Sequence, residues 1–389
     1  MVRESKSQPS ITMSSIRPTG TPRTAWATQG ASILIAVNGT FDRVGGEVIE
    51  LVVLFGGRSA EHEISCITAS HVVAAIDQRR HPVTLIGIDR EGRWHEAEMG
   101  PDGLNATGPV VEPTQVLRAR SGAVVLPLLH GPLGEDGTVQ GLLELMDLPY
   151  VGSGVLGSAV AMDKAMTKVV LTASGIPQAA HTVVTDREYL TDPDHVVERV
   201  RSHPGLPCFV KPANMGSSVG VSRVDGAGSL VDAIEAALSY DRTVVVEEAI
   251  GGREIEVAVL GSDDPFISAP GEIIPGDHFY SYADKYLDGR SRTVVPADLD
   301  EPTVERVRDL ARQAFRALRC DGLARCDFFL SDDGRGVLLN EVNTMPGFTP
   351  ISMFPKMMEA SGVPYGEIIE RLIELALERH AARPRRVDF

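Results

Sequence analysis

Arg325-Cys326-Asp327-Phe328-Phe329-Leu330 and, one polar turn later, Leu338-Leu339-Asn340-Glu341-Val342-Asn343-Thr344-Met345-Pro346-Gly347 decide how this chain is read. In the first run Cys326, Phe328 and Leu330 alternate like a strand with one buried face, so Arg325 and Asp327 share the other. Val337 to Val342 can return beside it after the turn Ser331-Asp332-Asp333-Gly334-Arg335-Gly336, and a period of two points Glu341 and Asn343 the same way. Such a hairpin gathers two carboxylates, an amide oxygen and a guanidinium on one surface. Hard oxygen ligands of this kind suit Mg2+, which shares its shell with water and substrate phosphates. An ordinary hairpin with a polar outer face fits the same pattern, and this run alone leaves the two readings even.

A second run shifts the balance. In Lys211-Pro212-Ala213-Asn214-Met215-Gly216-Ser217-Ser218-Val219-Gly220, Phe209-Val210 leads in as a strand and Lys211 sits at its end. The Gly and Ser residues allow a tight loop whose amides and hydroxyls can reach phosphate oxygens. It is not the usual P-loop, because Lys precedes the glycines. A glycine-serine hairpin alone is more often structural; beside the acidic hairpin, a nucleotide-and-magnesium site explains both better. Glu247-Glu248 ends a β-branched strand, and Glu254 lies beyond Gly251-Gly252. That pattern suits an interdomain hinge offering backbone groups to an adenine edge and a carboxylate to a ribose diol. Solvated surface is the commoner fate of a Glu, and Lys164 carries the same ambiguity.

The chain has 389 residues, 43% of them hydrophobic, enough for a substantial core divided over two or three domains. Cys66, Cys208, Cys320 and Cys326 lie far apart or in strand-like runs, without paired ligand spacing, which fits a reduced cytoplasmic protein. A formal charge of −16 argues against nucleic-acid binding, and no apolar run approaches the length of a membrane span. Residues 1–47 differ in kind: they are rich in Ser, Thr, Pro and Gly, with five Lys/Arg against three Asp/Glu. They read as a disordered leader, or one pinned only at Ile33–Val37, or as sequence ahead of a natural start near Val48.

Val48–Phe55, Val83–Ile88 and Val124–Leu129 read as strands, with helices near Ser65–Asp77 and Val139–Met146 between and after them. The alternation predicts a parallel sheet with ligands beyond the strand ends, where Gly56-Gly57 and His130-Gly131 lie. Ser158 to Ser174 reads as one amphipathic helix with Lys164 and Lys168 a turn apart. Smaller strands follow to Glu247, then a larger mixed sheet from Glu254. Asp277 to Thr293, long, polar and aromatic, reads as a lid or binding loop.

From Val52 to about Lys356 these residues resemble the D-alanine–D-alanine ligases of the ATP-grasp superfamily. The matching runs are Leu54 to Ser65, His130-Gly131-Pro132-Leu133-Gly134-Glu135-Asp136-Gly137, Met162-Asp163-Lys164, Lys211 to Gly220, Glu247 to Glu254, Lys285-Tyr286, Arg325 to Asp327 and Asn340 to Gly347. The resemblance implies an α/β, three-domain ATP-grasp ligase with an N-terminal parallel α/β domain. Its parts would be a leader (1–47), an N-terminal substrate domain (48–157), a central small domain (158–252), a catalytic domain (253–380) carrying lid loop 277–293, and a tail (381–389).

The same resemblance implies roles for individual residues. Lys164, Lys211 and Lys285 should meet ATP, with Ser217 and Ser218 in the loop closing over its phosphates. Glu247, Glu248 and Ile250 should border adenine, the latter two through their backbones, and Glu254 should hold the ribose. Asp327, Glu341 and Asn343 match the ligands of two Mg2+ ions, with Mn2+ able to substitute. Glu61 matches the residue receiving the ammonium of the first D-alanine, and His130 one near its carboxylate. Ser217 should link Glu61 to Tyr286. Arg325 and the Gly347 amide should face the oxyanion, and Ser352 with the Met353 amide the second substrate's carboxylate. A homodimer serving peptidoglycan precursor synthesis is also implied. Lys285-Tyr286 favours an amine over a hydroxyl as the attacking group; ligases adding D-lactate or D-serine are the first alternative, a non-catalytic ATP-binding regulator the second. Two positions depart from the family: Glu248 stands where Lys is frequent and Met353 where Leu is. The first puts a side-chain contact to adenine in doubt.

Overall fold

The computed structural model describes residues 48–275 and 291–383. The leader, most of the expected lid with Lys285 and Tyr286, and the last six residues lie outside the described residues.

The first sheet runs in the order β4-β3-β2-β1-β5, built from β1 (Leu51–Gly56), β2 (Val83–Ile88), β3 (Trp94–Ala97), β4 (Val110–Val111) and β5 (Val124–Pro127). β1 is parallel to both β2 and β5, and all six of its residues are buried, as befits a central strand covered on both faces. The expected parallel sheet is present in β2-β1-β5, and β3 and β4 extend one edge of it antiparallel. At four and two residues these strands are too short to register as a period in the sequence. Gly56 ends β1 at φ +87°, and a Cβ there would stand 2.3 Å from the Ile88 carbonyl, so only glycine permits the turn. The Gly56 N–H then donates to Ser65 Oγ at 2.7 Å, fixing the start of helix His62–Ala75 against the strand end.

The second sheet, in the order β6-β9-β7-β8, is antiparallel. Its strands are β6 (His181–Thr185), β7 (Cys208–Pro212), β8 (Ser222–Val224) and β9 (Thr243–Glu248). Val184, Val210 and Val246 pack on helices Pro193–Ser202 and Leu230–Leu238 through Val196, Val200, Leu230 and Ile234. The stretch Ser158–Ser174, expected as one helix, is two: Val155–Met162 and Lys164–Ala173. Asp163 breaks it by turning its carboxylate to accept from the Met166 N–H, the capping role Asp favours. The break puts Lys164 at the first position of the second helix.

The third sheet contains β10 (Gly252–Gly261), β11 (Phe266–Ile267), β12 (Gly271–Ile274), β13 (Arg292–Val294), β14 (Gly322–Ser331) and β15 (Val337–Asn343), in the order β13-β12-β10-β14-β15 with β11 on the edge of β10. β10 and β14 pair antiparallel over their full ten residues, from Gly252↔Ser331 to Gly261↔Gly322. Ile255, Val257, Val259, Cys326 and Phe328 form one core with Val307, Leu310, Ala314 and Phe315 of helix Glu301–Ala317. Glu254, Glu256, Arg325 and Asp327 therefore take the opposite face. Truncating Phe315, fully buried here, to Ala would cost about 3–5 kcal/mol.

One irregularity in this sheet matters for function. Val337 and Leu339 face the core, and a strict period of two would carry Glu341 and Asn343 there too. Instead Phe328 pairs with Leu339 and Asp327 with Glu341, leaving Asn340 as the extra residue of a β-bulge. The bulge turns Glu341 and Asn343 to the polar face. All four cysteines are buried and free. No helix among the described residues is long and apolar enough to cross a membrane.

Candidate active site

A cleft of about 580 Å3 opens among the three sheets. Glu61, His130, Lys164, Lys211, Ser217, Ser218, Ile250, Glu254, Arg325, Asp327, Glu341, Asn343, Gly347, Ser352 and Met353 all line it. Glu247 and Glu248 do not, and their side chains have other partners.

The acidic wall follows from register. Across β10, β14 and β15, Glu256 lies opposite Asp327, and Asp327 opposite Glu341; one step along, Ala258, Arg325 and Asn343 align. Like charges on adjacent strands repel, so this row requires cations. Arg325 supplies one: Nε and Nη2 donate to the two Asp327 oxygens at 2.7 and 2.6 Å, and Nε lies 3.3 Å from Glu256. Burial nevertheless pushes the Asp327 carboxyl up to about 8, with Glu256 and Glu341 adding to it against the pull of Arg325. One guanidinium among three carboxylates leaves an excess of negative charge on hard oxygen donors, which fits a divalent cation. No three His, Cys, Asp or Glu side chains among the described residues converge tightly enough to enclose an ion alone.

The basic wall comes from the second sheet and the broken helix. Lys211, at the end of β7, donates to Glu247 at 2.9 Å and to Asn340 Oδ1 at 3.4 Å, so the bulge residue is itself used. Lys168 lies 3.2 Å from the other Glu247 oxygen. Burial would raise the Glu247 carboxyl, but Lys211 and Lys168 together pull it down to about 2. Burial lowers Lys168 and Lys164, whereas for Lys211 the attraction of Glu247 outweighs burial and raises it. Lys164 Nζ donates to the Met215 carbonyl at 2.7 Å, tying the helix start to the Gly-Ser loop. In that loop Ser217 and Ser218 hold φ of +47° and +59°, uncommon for residues other than glycine and a mark of a constrained loop.

Beyond the basic wall, Ser217 Oγ donates to Glu61 Oε1, joining the loop to the first sheet. His130 is buried; its Nδ1–H donates to the Met345 carbonyl at 3.1 Å, and Nε2 accepts from Thr68 Oγ1 at 3.2 Å. Burial lowers its pKa, so the imidazole is neutral with the proton on Nδ1. Gly347 packs closely on Ser352: a Cβ there would lie 3.1 Å from Ser352 Oγ, so a side chain would have to displace that hydroxyl. Ser352 Oγ accepts from the Thr349 N–H at 3.2 Å and stands at the N-cap of helix Met353–Ala360, with Met353 buried as its first residue. Glu248 turns away from the cleft, accepting from the Ala180 N–H at 2.7 Å and pairing with Arg335.

Three residues of the site were given no role by the sequence reading. Lys168 sits one turn from Lys164, Glu256 two residues from Glu254, and Glu135 inside the His130–Gly137 run. Each carried a periodic or local signal; what makes it part of the site is a long-range contact.

The D-ala D-ala ligase N-terminus profile matches residues 50–153, and the D-ala D-ala ligase C-terminus profile residues 170–374. A D-alanine–D-alanine ligase of Geobacillus kaustophilus is 48% identical over 353 residues, spanning 84% of this chain and 94% of the relative. The solved D-alanine-D-alanine ligase of Coxiella burnetii superposes with a TM-score of 0.73 at 37% identity, covering 87% of this chain and 96% of that one. The VanG D-Ala:D-Ser ligase of Enterococcus faecalis does so at 0.73 and 31%, covering 85% and 100%. With both family segments matched in order and over most of its length, the chain belongs to the D-alanine–D-alanine ligase family, whose fold is the three-domain ATP-grasp.

Proposed function

We propose that this chain joins two D-alanines into D-alanyl-D-alanine, converting ATP to ADP and phosphate through a D-alanyl phosphate, for peptidoglycan precursors. The carrying observation is that the Lys164–Lys211–Ser217 wall and the Arg325–Asp327–Glu341–Asn343 wall line one cleft, with Glu61 and His130 at its end.

The chemistry follows from charge. A carboxylate is a poor acyl donor because its leaving group would be oxide. Phosphorylation by ATP makes a competent leaving group, and the barrier is largely one of positioning and neutralising phosphoryl oxygens. Lys164 and Lys211 do this from one side. Asp327, Glu341 and Asn343 would hold divalent cations, two Mg2+ or Mn2+ in this reading, which on binding would neutralise the charge between donor and acceptor. Ile250 and Glu248 would meet adenine through their backbones, and Glu254 the ribose.

Glu61 would take the ammonium of the first D-alanine and neutral His130 would lie near its carboxylate. The second amine, seated through Ser352 and the Met353 amide, then attacks the acyl carbon. Phosphate leaves from a tetrahedral oxyanion stabilised by Arg325 and the Gly347 amide, a donor pair whose single members are worth about 2.7–4 kcal/mol each in comparable sites. Water must be excluded while the acyl phosphate exists, and the Met215–Val219 loop and segment 277–293, with Lys285 and Tyr286, are assigned to that closure. We read the domains as 48–157, 158–252 and 253–380, and the working form as a cytoplasmic homodimer.

The test is mass analysis of products from purified chain, ATP, Mg2+ and D-alanine, with D-serine and D-lactate as competing acceptors. D-Alanyl-D-alanine in excess is expected. Preferential coupling to D-serine would move the chain to the specificity named for VanG, and no coupled product would end the proposal.

A further inference from the structure

Glu135 has no part in the scheme above, yet its position is unusually well determined. It lies between β5 and helix Thr138–Leu145, with a nearly buried side chain. One carboxylate oxygen accepts from the Gly131 N–H at 2.7 Å and the other from the Met345 N–H at 3.3 Å. Gly131 follows His130 beyond the end of β5 in the first sheet. Met345 follows β15 of the third sheet, two residues beyond Asn343 and two before Gly347.

His130 completes the arrangement. Its Nδ1–H donates to the Met345 carbonyl, so two side chains from the segment after β5 take both the N–H and the C=O of one residue after β15. Met345 is buried, which leaves neither backbone group an exchange with water. Pro346 follows it, with a fixed φ, and biases Met345 itself toward extended backbone. The link from Met345 to Gly347 is therefore stiff. Where Met345 sits, the Gly347 amide must follow.

We infer that Glu135 is a positioning residue: with His130 it clamps the Met345 backbone and so sets the distance between the first amino acid and the Gly347 amide. The inference rests on the ligase reading, because the Gly347 amide is assigned there to the oxyanion. Glu135 itself touches no reacting atom. Its loss would let the Thr344–Gly347 segment drift while Lys164, Lys211 and their nucleotide contacts stay in place.

The full chain carrying Glu135→Gln or Glu135→Ala would be compared with wild type for kcat, KM for ATP, and the ratio of phosphate released to dipeptide formed. Misplacement of about 1 Å can cost on the order of 100-fold in rate, so a fall of that order is expected for Ala. Gln keeps one acceptor oxygen and should lose less. KM for ATP should hold. The ratio should rise above that of wild type, because an acyl phosphate awaiting a badly placed oxyanion donor is hydrolysed instead of coupled. Unchanged ratio and unchanged kcat per titrated active site in the Gln variant would overturn the inference, and that variant serves if Ala fails to fold. Wild type forming no dipeptide would overturn both this inference and the ligase reading, a result distinct from an active wild type with indifferent variants.

Discussion

Glu248 and Arg335 form an ion pair, Oε1 to Nη1 at 2.5 Å, across the joint between the end of β9 and the β14–β15 turn. The same turn is held by the Asp332 N–H donating to the Gly251 carbonyl at 3.1 Å. A glutamate at this point thus braces the hinge instead of reaching for adenine. Arg335 is partly exposed, and pairs of that kind are worth about 0.2–1 kcal/mol. Arg335→Ala should raise KM for ATP by at most about five-fold and leave kcat alone. The difference should disappear near 1 M salt, where the screening length is about 3 Å. KM measured at low and high salt decides it: an increase that survives high salt does not come from this pair.

Glu247 links the cleft to acid stability. Burial would raise its carboxyl, yet Lys211 and Lys168 hold it at about 2 against an ordinary 4.5. A carboxyl lowered on folding stabilises the native state above its ordinary pKa, and the stabilisation fades as pH falls through the folded value. At neutral pH the contribution is about 3 kcal/mol. Glu247→Gln should therefore be less stable than wild type at pH 7, and the gap in Tm should close between pH 4.5 and 2. A gap constant across that window would show that the two lysines do not depend on this charge.

Arg325 serves the acidic row and, in the proposed mechanism, the oxyanion. Arg325→Ala should lower kcat about 100–1000-fold while nucleotide still binds. Breaking a buried pair also strands its partners, at about 3–5 kcal/mol, so Tm should fall as well. Arg325→Lys separates the two effects. It restores charge beside Asp327 and Glu256 but not the two-pronged donor, so it should recover more stability than rate. Wild-type turnover in the Ala variant would remove Arg325 from the mechanism.

How far the sequence reached can be judged at the β14–β15 hairpin. Alternation in Cys326, Phe328 and Leu330 was enough to put Arg325 and Asp327 on one face, and β14 has that face. The same rule applied to Val337, Leu339, Glu341 and Asn343 mixes core and polar residues on one side. The bulge at Asn340 resolves the conflict, and no local pattern announces it, because a bulge is chosen by what lies opposite. Likewise the Ser158–Ser174 period continued through Asp163, which ends one helix and caps the next by accepting from the Met166 N–H, a break that the apolar spacing does not mark. Local periods reveal which side a residue takes. Partners such as Lys168 for Glu247, or Met345 for Glu135, are set by contacts across the chain.

Gly216 gives a test of the contact between the Gly-Ser loop and Glu61, the residue proposed to hold the first substrate. Its φ is not in the positive region, so alanine fits the backbone, but a Cβ would stand 2.6 Å from Glu61 Oε2 and 3.4 Å from its Cδ. The close contact falls on the end of the Glu61 side chain, so alanine is admitted only by displacing that carboxylate. In Gly216→Ala the Glu61 side chain must move, and with it the oxygen that accepts from Ser217. Since a shift of about 1 Å can cost on the order of 100-fold, the half-saturating concentration of the first D-alanine should rise by roughly 10- to 100-fold. Lys164 and Lys211 contact Met215, Glu247 and Asn340 by separate bonds, so KM for ATP should stay put. Steady-state titration of each substrate at saturating levels of the other reads both numbers. A variant that weakens ATP alone would mean that the Gly-Ser loop seats the nucleotide without reference to Glu61, and the Ser217–Glu61 contact would have no part in holding the first amino acid.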